Sequence, residues 1–336
     1  MLCILIHLPA SKCYSKMNQD LVLGIDVGGQ SSKLGIVTRG GEILAGTVVS
    51  SLQDNLSDFL DSLTSAIRSL ISQVSGQGTV LGIGIGAPNA NYYKGTIEFA
   101  PNLRWTYVDG QPTVVEFARL ISERVNLPVT VTNDANAAAM GEMTYGIARG
   151  IKDFIMITLG TGVGSGIVID GRMLYGSDGF AGELGHVCVE QDGRQCNCGL
   201  KGCLETYASA IGVARTARQM LADSSRDSLL RRLDAETISS KDVYDAAREG
   251  DLLAKEIFER TGTILGRAFA DFVKFSAPEA IVIFGGMAKS REFFHDAMMR
   301  SMNDNLMLVW KNRVKILYSS LKESDAAILG ASALAW

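Results

Sequence analysis

A short element occurs twice in this chain: an apolar strand, a glycine-rich turn and a second strand. It is predicted first at residues 21–37, around Gly28 and Gly29, and again at residues 154–170, where the run 160–166 holds four glycines. Such a repeat predicts two similar domains that face each other across a cleft. Because strands then alternate with helices, the sequence indicates an α/β fold with mixed sheets.

Apolar periodicity places the remaining elements. Strands are expected at 43–49, 80–87, 129–131, 280–284 and 314–317, and helices at 57–74, 114–125, from 135 onward, and at 204–222, 239–275, 290–303 and 326–336. These elements predict a small N-terminal domain at 21–134, joined by a C-terminal helix at 324–336, and a large domain at 135–323.

Residues 1–20 are expected to be a disordered or spurious extension, with translation starting at Met17. The alternative is a lipoprotein-like site at Cys13, although the residues before it fit that pattern poorly. No other segment is long and apolar enough to span a membrane, so we expect a cytoplasmic protein without a membrane partner. A net charge of −4 argues against a broad nucleic-acid-binding surface, which would be basic.

Four of the six cysteines fall within sixteen residues, which in a reducing compartment suggests a metal site before disulfides. One imidazole and three thiolates satisfy tetrahedral Zn²⁺, and a closed set of four ligands makes the metal structural. Cys188 is left over, and its alternation with two valines predicts a buried strand residue. The alternative for the whole cluster is reduced cysteines without a metal. The proposed ligands are His186, Cys196, Cys198 and Cys203.

Three glycine turns follow apolar strands: Gly28-Gly29, the run 160–166 and Gly285-Gly286. Glycine lets backbone N–H groups surround phosphate oxygens, although a tight hairpin needs glycine for steric reasons alone. Asp26 precedes the first turn. A carboxylate beside phosphates indicates a Mg²⁺ between them, whereas the alternative is an aspartate that caps the turn.

Three other carboxylates lie at positions suited to chemistry. Asp134 follows a strand and precedes a helix, where many α/β proteins place working residues. Taken alone, it is better interpreted as the N-cap of that helix. Glu183 and Glu205 flank the metal ligands, so a folded loop would hold them as fixed acceptors, unless they are merely exposed loop residues.

Four stretches together resemble the ROK family of sugar kinases, repressors and open reading frames. They are Asp26-Val-Gly-Gly29, the stretch 133–138 beginning Asn133-Asp134, the run 159–166 and the segment from Glu183 to Glu205. The resemblance extends from about residue 21 to the C-terminus, and the cysteine segment is its most specific part. It implies the actin-like, hexokinase-like ATPase fold, with two domains of mixed sheets flanking a cleft.

The resemblance implies ATP-dependent phosphorylation of a hexose hydroxyl, with ATP, catalytic Mg²⁺ and structural Zn²⁺. Glucose is the expected substrate, to give glucose 6-phosphate. The alternatives are an N-acetylhexosamine (N-acetylglucosamine or N-acetylmannosamine) or fructose, and a non-catalytic sugar-binding regulator. The family's repressors carry a DNA-binding segment before the first turn, and the twenty residues here are too few for one, so no nucleic-acid partner is expected. A homodimer is expected.

The resemblance also implies roles for single residues. Asp134 matches the catalytic base. His186 would serve twice, with one ring nitrogen on zinc and the other on the sugar. Sugar-binding positions are matched by Asn102, Asn133, Glu183, His186 and Glu205, phosphate contacts by Gly28, Gly29, Thr161 and Gly162, and the adenosine side by Gly285 and Gly286.

The sequence departs from the family pattern at two places. Gln30 stands where the first phosphate turn usually carries threonine, and Ser31 is the candidate replacement for that hydroxyl. Asn89 stands where the family commonly has a second glycine. It is either an additional contact to sugar or a residue that tolerates left-handed backbone. Asp26, Gln30, Ser31 and Lys33 complete the candidates for nucleotide phosphate binding.

Overall fold

Two five-stranded sheets carry the fold. The computed structural model describes residues 19–336, apart from the side chain of Glu323, so the expectations for Cys13 and Met17 lie outside the described residues. The strands are β1 (Gln19–Val27), β2 (Ser31–Thr38), β3 (Ile43–Ser50), β4 (Gly78–Gly86), β5 (Ala90–Asn91), β6 (Thr96–Glu98), β7 (Tyr107–Val108), β8 (Gln111–Pro112), β9 (Val114–Val115), β10 (Val129–Thr132), β11 (Phe154–Leu159), β12 (Val163–Ile169), β13 (Arg172–Met173), β14 (Ala280–Phe284) and β15 (Lys315–Tyr318).

The two large sheets have the same strand topology. The N-terminal sheet has the order β3-β2-β1-β4-β10 and the C-terminal sheet the order β13-β12-β11-β14-β15. In each, the opening strand pairs antiparallel with the next strand and parallel with a later one. The duplication predicted from two strand–turn–strand elements therefore extends to the order and direction of all five strands.

Helices cover both sheets and form separate apolar cores with them. They are α1 (Leu56–Gln73), α2 (Phe117–Val125), α3 (Asp134–Thr144), α4 (Glu205–Ala208), α5 (Ala210–Ala222), α6 (Ser240–Arg248), α7 (Leu252–Ser276), α8 (Arg291–Asn305) and α9 (Glu323–Ser332). One core joins the N-terminal sheet to α1 and α2, and the larger core joins the C-terminal sheet to α4–α8. The apolar spacing that predicted α1, at residues such as Phe59, Leu63 and Ile67, is the face that this helix buries.

Helices α3 and α9 occupy the other faces of the sheets. Helix α3 packs on the C-terminal sheet through residues such as Ala139, and α9 packs on the N-terminal sheet through Ile328 and Leu329. Gly24 in β1 and Gly84 in β4 touch the backbone of this C-terminal segment, at Ile328 O and Ala331 O, where a Cβ would collide. The C-terminal segment therefore packs directly against the backbone of β1 and β4 in the N-terminal sheet.

Three predicted helices begin late or are interrupted, and the helix predicted at 326–336 lies at Glu323–Ser332. Residues 114–115 form β9, which pairs with β6, so the helix predicted at 114–125 begins at Phe117. The helix expected at 204–222 is interrupted at Ser209, whose side chain caps α5. The helix expected at 239–275 is interrupted at Gly250, which has φ +99°, and Asp251 then caps α7. Polar caps and left-handed glycine end helices locally, and apolar periodicity does not register either.

Within residues 19–336, no helix combines the length and apolar character needed to cross a bilayer.

Candidate functional site

A cleft of about 840 Å³ lies where β11 and β14 end and β12 begins, beside the N-terminus of α3 and the cysteine loop, which is the segment at residues 187–204. Most of the segments in which site residues were predicted contribute to its lining. The predicted residues that line it are Asn89, Asn102, Asn133, Asp134, Thr161, Gly162, Glu183, Cys196, Glu205, Gly285 and Gly286. The described lining does not include the first glycine turn, Lys33 or three of the four proposed metal ligands.

Asp134 lies at the first turn of α3. The N-cap is Asn133, one residue earlier than the capping interpretation of Asp134 expected. The side-chain oxygens of both residues accept from Ala135 N, each at 2.8 Å, which fixes the two side chains at the mouth of the helix. Asp134 opens to the cleft, yet surrounding protein limits its hydration and raises the pKa of its carboxyl, although backbone N–H groups oppose the shift.

Asp26 lies near the end of β1, paired across the sheet with Lys33. Burial raises its pKa to about 6, the charge of Asp134 adds to the rise, and Lys33 opposes it. The two aspartates therefore influence each other electrostatically, although they come from different parts of the chain.

The first glycine turn packs behind the cleft. Gly28 N donates to Ser31 O at 3.1 Å, and Gln30 is exposed at the tip. A Cβ on Gly29 would lie 2.9 Å from the backbone oxygen of Asn102, a residue that lines the cleft. This glycine is required by close approach, since neither Gly28 nor Gly29 has positive φ.

The second and third glycine turns meet at the ends of β11 and β14. A Cβ on Gly162 would lie 2.6 Å from Glu205 Oε2, and the neighbouring Val163 N donates to that oxygen at 3.3 Å. Gly285 has φ +105° and touches Leu159 O, so both conformation and space require glycine there. Thr161 is exposed at the tip of the second turn.

Glu183, His186 and Glu205 connect the cleft to the cysteine loop. His186 Nε2 lies 4.0 Å from Glu183 Oε2, and Nδ1 lies 3.9 Å from Glu205 Oε1. Burial raises the pKa of Glu183, the nearby His186 opposes this, and the charges of Asp134 and Glu205 add to the rise. The cleft is thus an acidic site with oxygen acceptors on several sides.

The four proposed metal ligands form one cluster, with ligand atoms all within 4.8 Å of one another. Cys196 Sγ lies 3.7 Å from His186 Nδ1, and Cys198 Sγ lies 3.6 Å from Cys203 Sγ. Tetrahedral zinc distances place two sulfurs about 3.8 Å apart, and sulfur and nitrogen about 3.5 Å apart. The donor set and its spacing fit a zinc ion, with His186 Nε2 on the side of Glu183.

The prediction that Cys188 is a buried strand residue is wrong. Cys188 is exposed, and it forms only an isolated bridge with Cys203. Its neighbour Val187 is also exposed, so the alternation with valines reflects no core strand. Cys188 is therefore a cysteine next to the metal cluster but outside it.

Two features of the cleft were missed or left open by sequence reasoning. Arg215 is the one cationic side chain in the described lining, and it donates to Gln195 O at 3.1 Å. Arg215 follows Ile211 by one turn of α5, and both residues line the cleft. Helical spacing from Ile211 could therefore have predicted that Arg215 lies on the same face of the helix. Asn89 has φ +52°, and its amide donates to Phe99 O at 3.2 Å, which explains how asparagine replaces a glycine.

Comparisons with known proteins agree on one family. The family model described as "ROK family" matches residues 22–336. A glucokinase of Thermotoga maritima is 34% identical over 317 residues, covering 93% of this chain and 96% of that protein. A ROK family glucokinase from Streptomyces griseus, crystallised with glucose and AMPPNP, is 33% identical with a TM-score of 0.74, covering 94% and 98%. A xylose repressor of Caldicellulosiruptor bescii is 30% identical, covering 76% of this chain and 62% of that protein.

Proposed function

This chain belongs to the ROK family, and on that premise we propose that it is an ATP-dependent sugar kinase that converts glucose to glucose 6-phosphate. One observation supports this most directly. Asp134 lines a cleft that is also lined by the oxygen acceptors Glu183 and Glu205 and by two glycine turns. Phosphoryl transfer depends chiefly on positioning and charge stabilisation, which such a cleft supplies.

Asp134 acts as the base in this proposal. It holds the attacking sugar hydroxyl and accepts its proton as the bond to the γ-phosphoryl group forms. Its raised pKa supports the role, because proton transfer is most efficient when the pKa of the base approaches the working pH.

The sugar is held by neutral amides and by glutamates. The Asn133 Oδ1 is occupied by Ala135 N, so its NH₂ group is the part that can donate to a sugar hydroxyl. Glu183 and Glu205 accept from hydroxyls, and His186 presents Nε2 on the same side. The proposed sugar-binding residues are Asn89, Asn102, Asn133, Glu183, His186 and Glu205.

Nucleotide binding is assigned to the glycine turns. Thr161, Gly162, Gly285 and Gly286 line the cleft. In this proposal Thr161 and Gly162 would contact phosphates and Gly285 and Gly286 would border the adenosine. The other proposed phosphate contacts belong to the first turn and are Gly28, Gly29, Gln30, Ser31 and Lys33. Asp26 is the carboxylate proposed to hold Mg²⁺ through water, and the unfavourable effect of the Asp134 charge on it fits a site that gains from a cation. Bound with the nucleotide, Mg²⁺ would neutralise phosphate charge.

Zinc is proposed as a structural ion on His186, Cys196, Cys198 and Cys203. It would brace the loop that leads into α4, where Glu205 is the first residue. A cytoplasmic location, a homodimer and the division into domains at 21–134 and 135–323 stay predictions, and sedimentation velocity tests the dimer.

A coupled assay of ADP release over a panel of sugars tests the proposed function. Glucose is expected to give the highest kcat/KM among glucose, N-acetylglucosamine, N-acetylmannosamine and fructose. Sugar binding measured by calorimetry in the same preparations separates an enzyme from a regulator. Tight sugar binding without any sugar-dependent ADP release would overturn the kinase proposal in favour of a sugar-binding regulator.

A further inference from the structure

A second cavity, of about 950 Å³, lies between α5, α7 and the cysteine loop. Its charged lining is strongly basic, with five arginines and one glutamate: Arg194, Arg215, Arg218, Arg260, Arg267 and Glu190. This composition contrasts with the neighbouring cleft, where Asp134, Glu183 and Glu205 face a single arginine. The two cavities therefore suit ligands of different charge.

Helical spacing puts these arginines on facing walls. Arg260 and Arg267 are two turns apart on α7, with Ile264 between them on the same face, and all three line the cavity. Arg215 and Arg218 are one turn apart on α5. The third wall is the cysteine loop, so guanidinium groups reach the cavity from three directions.

The positive charge of this cavity is largely uncompensated. Arg267 pairs with Glu190 at 2.7 Å, but no carboxylate of the described residues lies within 4.0 Å of the other four arginines. Arg218 is held by neutral carbonyls, those of Glu236 and Ile238, both at 3.2 Å.

Arg194 is fixed in the cysteine loop among other positive charges. It donates to Thr206 O at 2.8 Å and lies over the ring of Tyr207. The positive charges of Arg215 and Arg260 repel the guanidinium group of Arg194. Ordered guanidinium groups that repel one another favour the binding of an anion between them.

We propose that this cavity binds a small molecule that carries phosphoryl groups. A phosphoryl group has oxygens in several directions and can accept from guanidinium groups on three walls, whereas a carboxylate offers one planar edge. The volume lies within the range of about 300–1,000 Å³ that is usual for small-molecule sites, which favours a metabolite over a protein segment. Arg215 borders both cavities, so a molecule bound here would contact a residue of the cleft.

Calorimetric titration with three probes tests the proposal: inorganic phosphate, pyrophosphate and glucose 6-phosphate. The informative variant is Arg260→Gln, because Arg260 has no hydrogen bond or ion pair with any other described residue and its loss leaves no group unpaired. The melting temperature of Arg260→Gln and its KM for ATP are expected to equal those of the wild type. A loss of probe binding in this variant would therefore report on the cavity and not on the proposed kinase activity.

We expect at least one probe to bind the wild type with an affinity that Arg260→Gln weakens about tenfold and Arg260→Lys weakens less. Arg313→Gln, which removes an exposed arginine outside this cavity, is the matched control and should bind like the wild type. Equal affinity of every probe for the wild type and Arg260→Gln would overturn the proposal, as would an equal loss in Arg313→Gln. Tighter binding of polyglutamate than of any phosphorylated probe would replace it with a docking site for an acidic protein segment. The probe with the highest affinity distinguishes free phosphate from a phosphorylated sugar as the source.

Discussion

Asp26, Asp134 and Glu183 each keep a carboxyl group where surrounding protein limits its hydration and raises its pKa. A carboxylate that loses hydration and has few compensating partners lowers the stability of the fold. Such groups persist at sites where function requires them, and here all three surround one cleft or lie directly behind it. Substitutions of these carboxylates can therefore separate effects on stability from effects on function.

Asp134→Asn is expected to retain glucose binding and to lose turnover. Asparagine keeps the shape of the side chain and can still contact a sugar hydroxyl, but it cannot accept the proton. Because general base catalysis contributes about 10²–10⁴-fold, kcat should fall by that range while the dissociation constant of glucose changes by less than about threefold. Calorimetry and the ADP-release assay measure the two quantities, with the exposed Asp170→Asn as control. A kcat near that of the wild type would show that Asp134 is not the base.

Asp26→Asn is expected to stabilise the protein at neutral pH. The pKa of Asp26 is raised from 3.8 to about 6, so the folded state holds a proton between these pH values that the unfolded state has released, and above pH 6 it carries an unfavourable charge. The resulting penalty is complete above pH 6 and is relieved as the pH falls toward 4. It amounts to at most about 3 kcal/mol at pH 7.5 and about 1 kcal/mol at pH 4.5.

Urea unfolding of Asp26→Asn at both pH values measures this effect. The gain in unfolding free energy should be larger at pH 7.5 than at pH 4.5, and the exposed Asp20→Asn on the same strand should show neither gain. A gain that is independent of pH would mean that packing, not ionisation, distinguishes the variant. If Asp26 also serves nucleotide binding, the stabilised variant loses kinase activity.

At the scale of elements, the cysteine loop depends on its side chains. From residue 187 to 204 the described chain has only two isolated bridges as regular pairing, yet Arg194 and the four clustered ligands hold it in place. Glu205 follows directly and points back at Gly162. A metal in this loop would therefore fix one wall of the cleft.

Cys198→Ser is expected to abolish zinc binding, whereas Cys188→Ser is not. Both cysteines are exposed and close together in the same loop, but only Cys198 belongs to the cluster. Metal analysis of protein purified without a polyhistidine tag should find about one zinc per chain in the wild type and in Cys188→Ser. Because Glu205 would lose its support, KM for glucose should rise more than kcat falls in Cys198→Ser. Equal zinc content in the two variants would contradict the assignment of ligands.

The elements were predictable where a periodic pattern was long. Helix α1 and the strands of both large sheets other than β13 follow directly from apolar spacing, whereas β13 has only two residues and was not predicted. Helix ends at Ser209 and Gly250 depend on one cap or one left-handed residue, and β9 depends on pairing with β6, which is distant in sequence. In the site, motif residues such as Asp134, Glu183 and Glu205 do line the cleft, but the electrostatic influence of Asp134 on Asp26 and the position of Arg215 arise only from the folded arrangement.

For the whole molecule, the duplicated sheets confirm the expected fold, which is that of ROK family sugar kinases of known structure. The two sheets are connected through α3 and α9. Helix α3 carries Asp134 and packs on the C-terminal sheet, while α9 packs on the N-terminal sheet that holds Asp26. The relative position of these two aspartates therefore depends on how the two helices cross.

Gly330→Ala tests the importance of this crossing. A Cβ on Gly330 of α9 would lie 2.6 Å from Ala137 O of α3. The approach is equally close from the other side, because a Cβ on Gly141 of α3 would lie 2.8 Å from the Gly330 Cα. Alanine favours the helix by about 1 kcal/mol over glycine, so a net loss of stability would show that the collision dominates. We expect a loss of about 1–3 kcal/mol in the free energy of unfolding.

Forcing α3 away from α9 should also displace Asp134 relative to the phosphate turns, so kcat should fall more than glucose affinity. The matched control is Gly40→Ala, whose Cβ would meet only Thr38 Oγ1, at 3.8 Å. Urea unfolding and steady-state kinetics on both variants measure the effect. If Gly330→Ala matches Gly40→Ala in stability and in kcat, then the helices can separate without consequence, and the alignment of the two sheets must depend on contacts elsewhere.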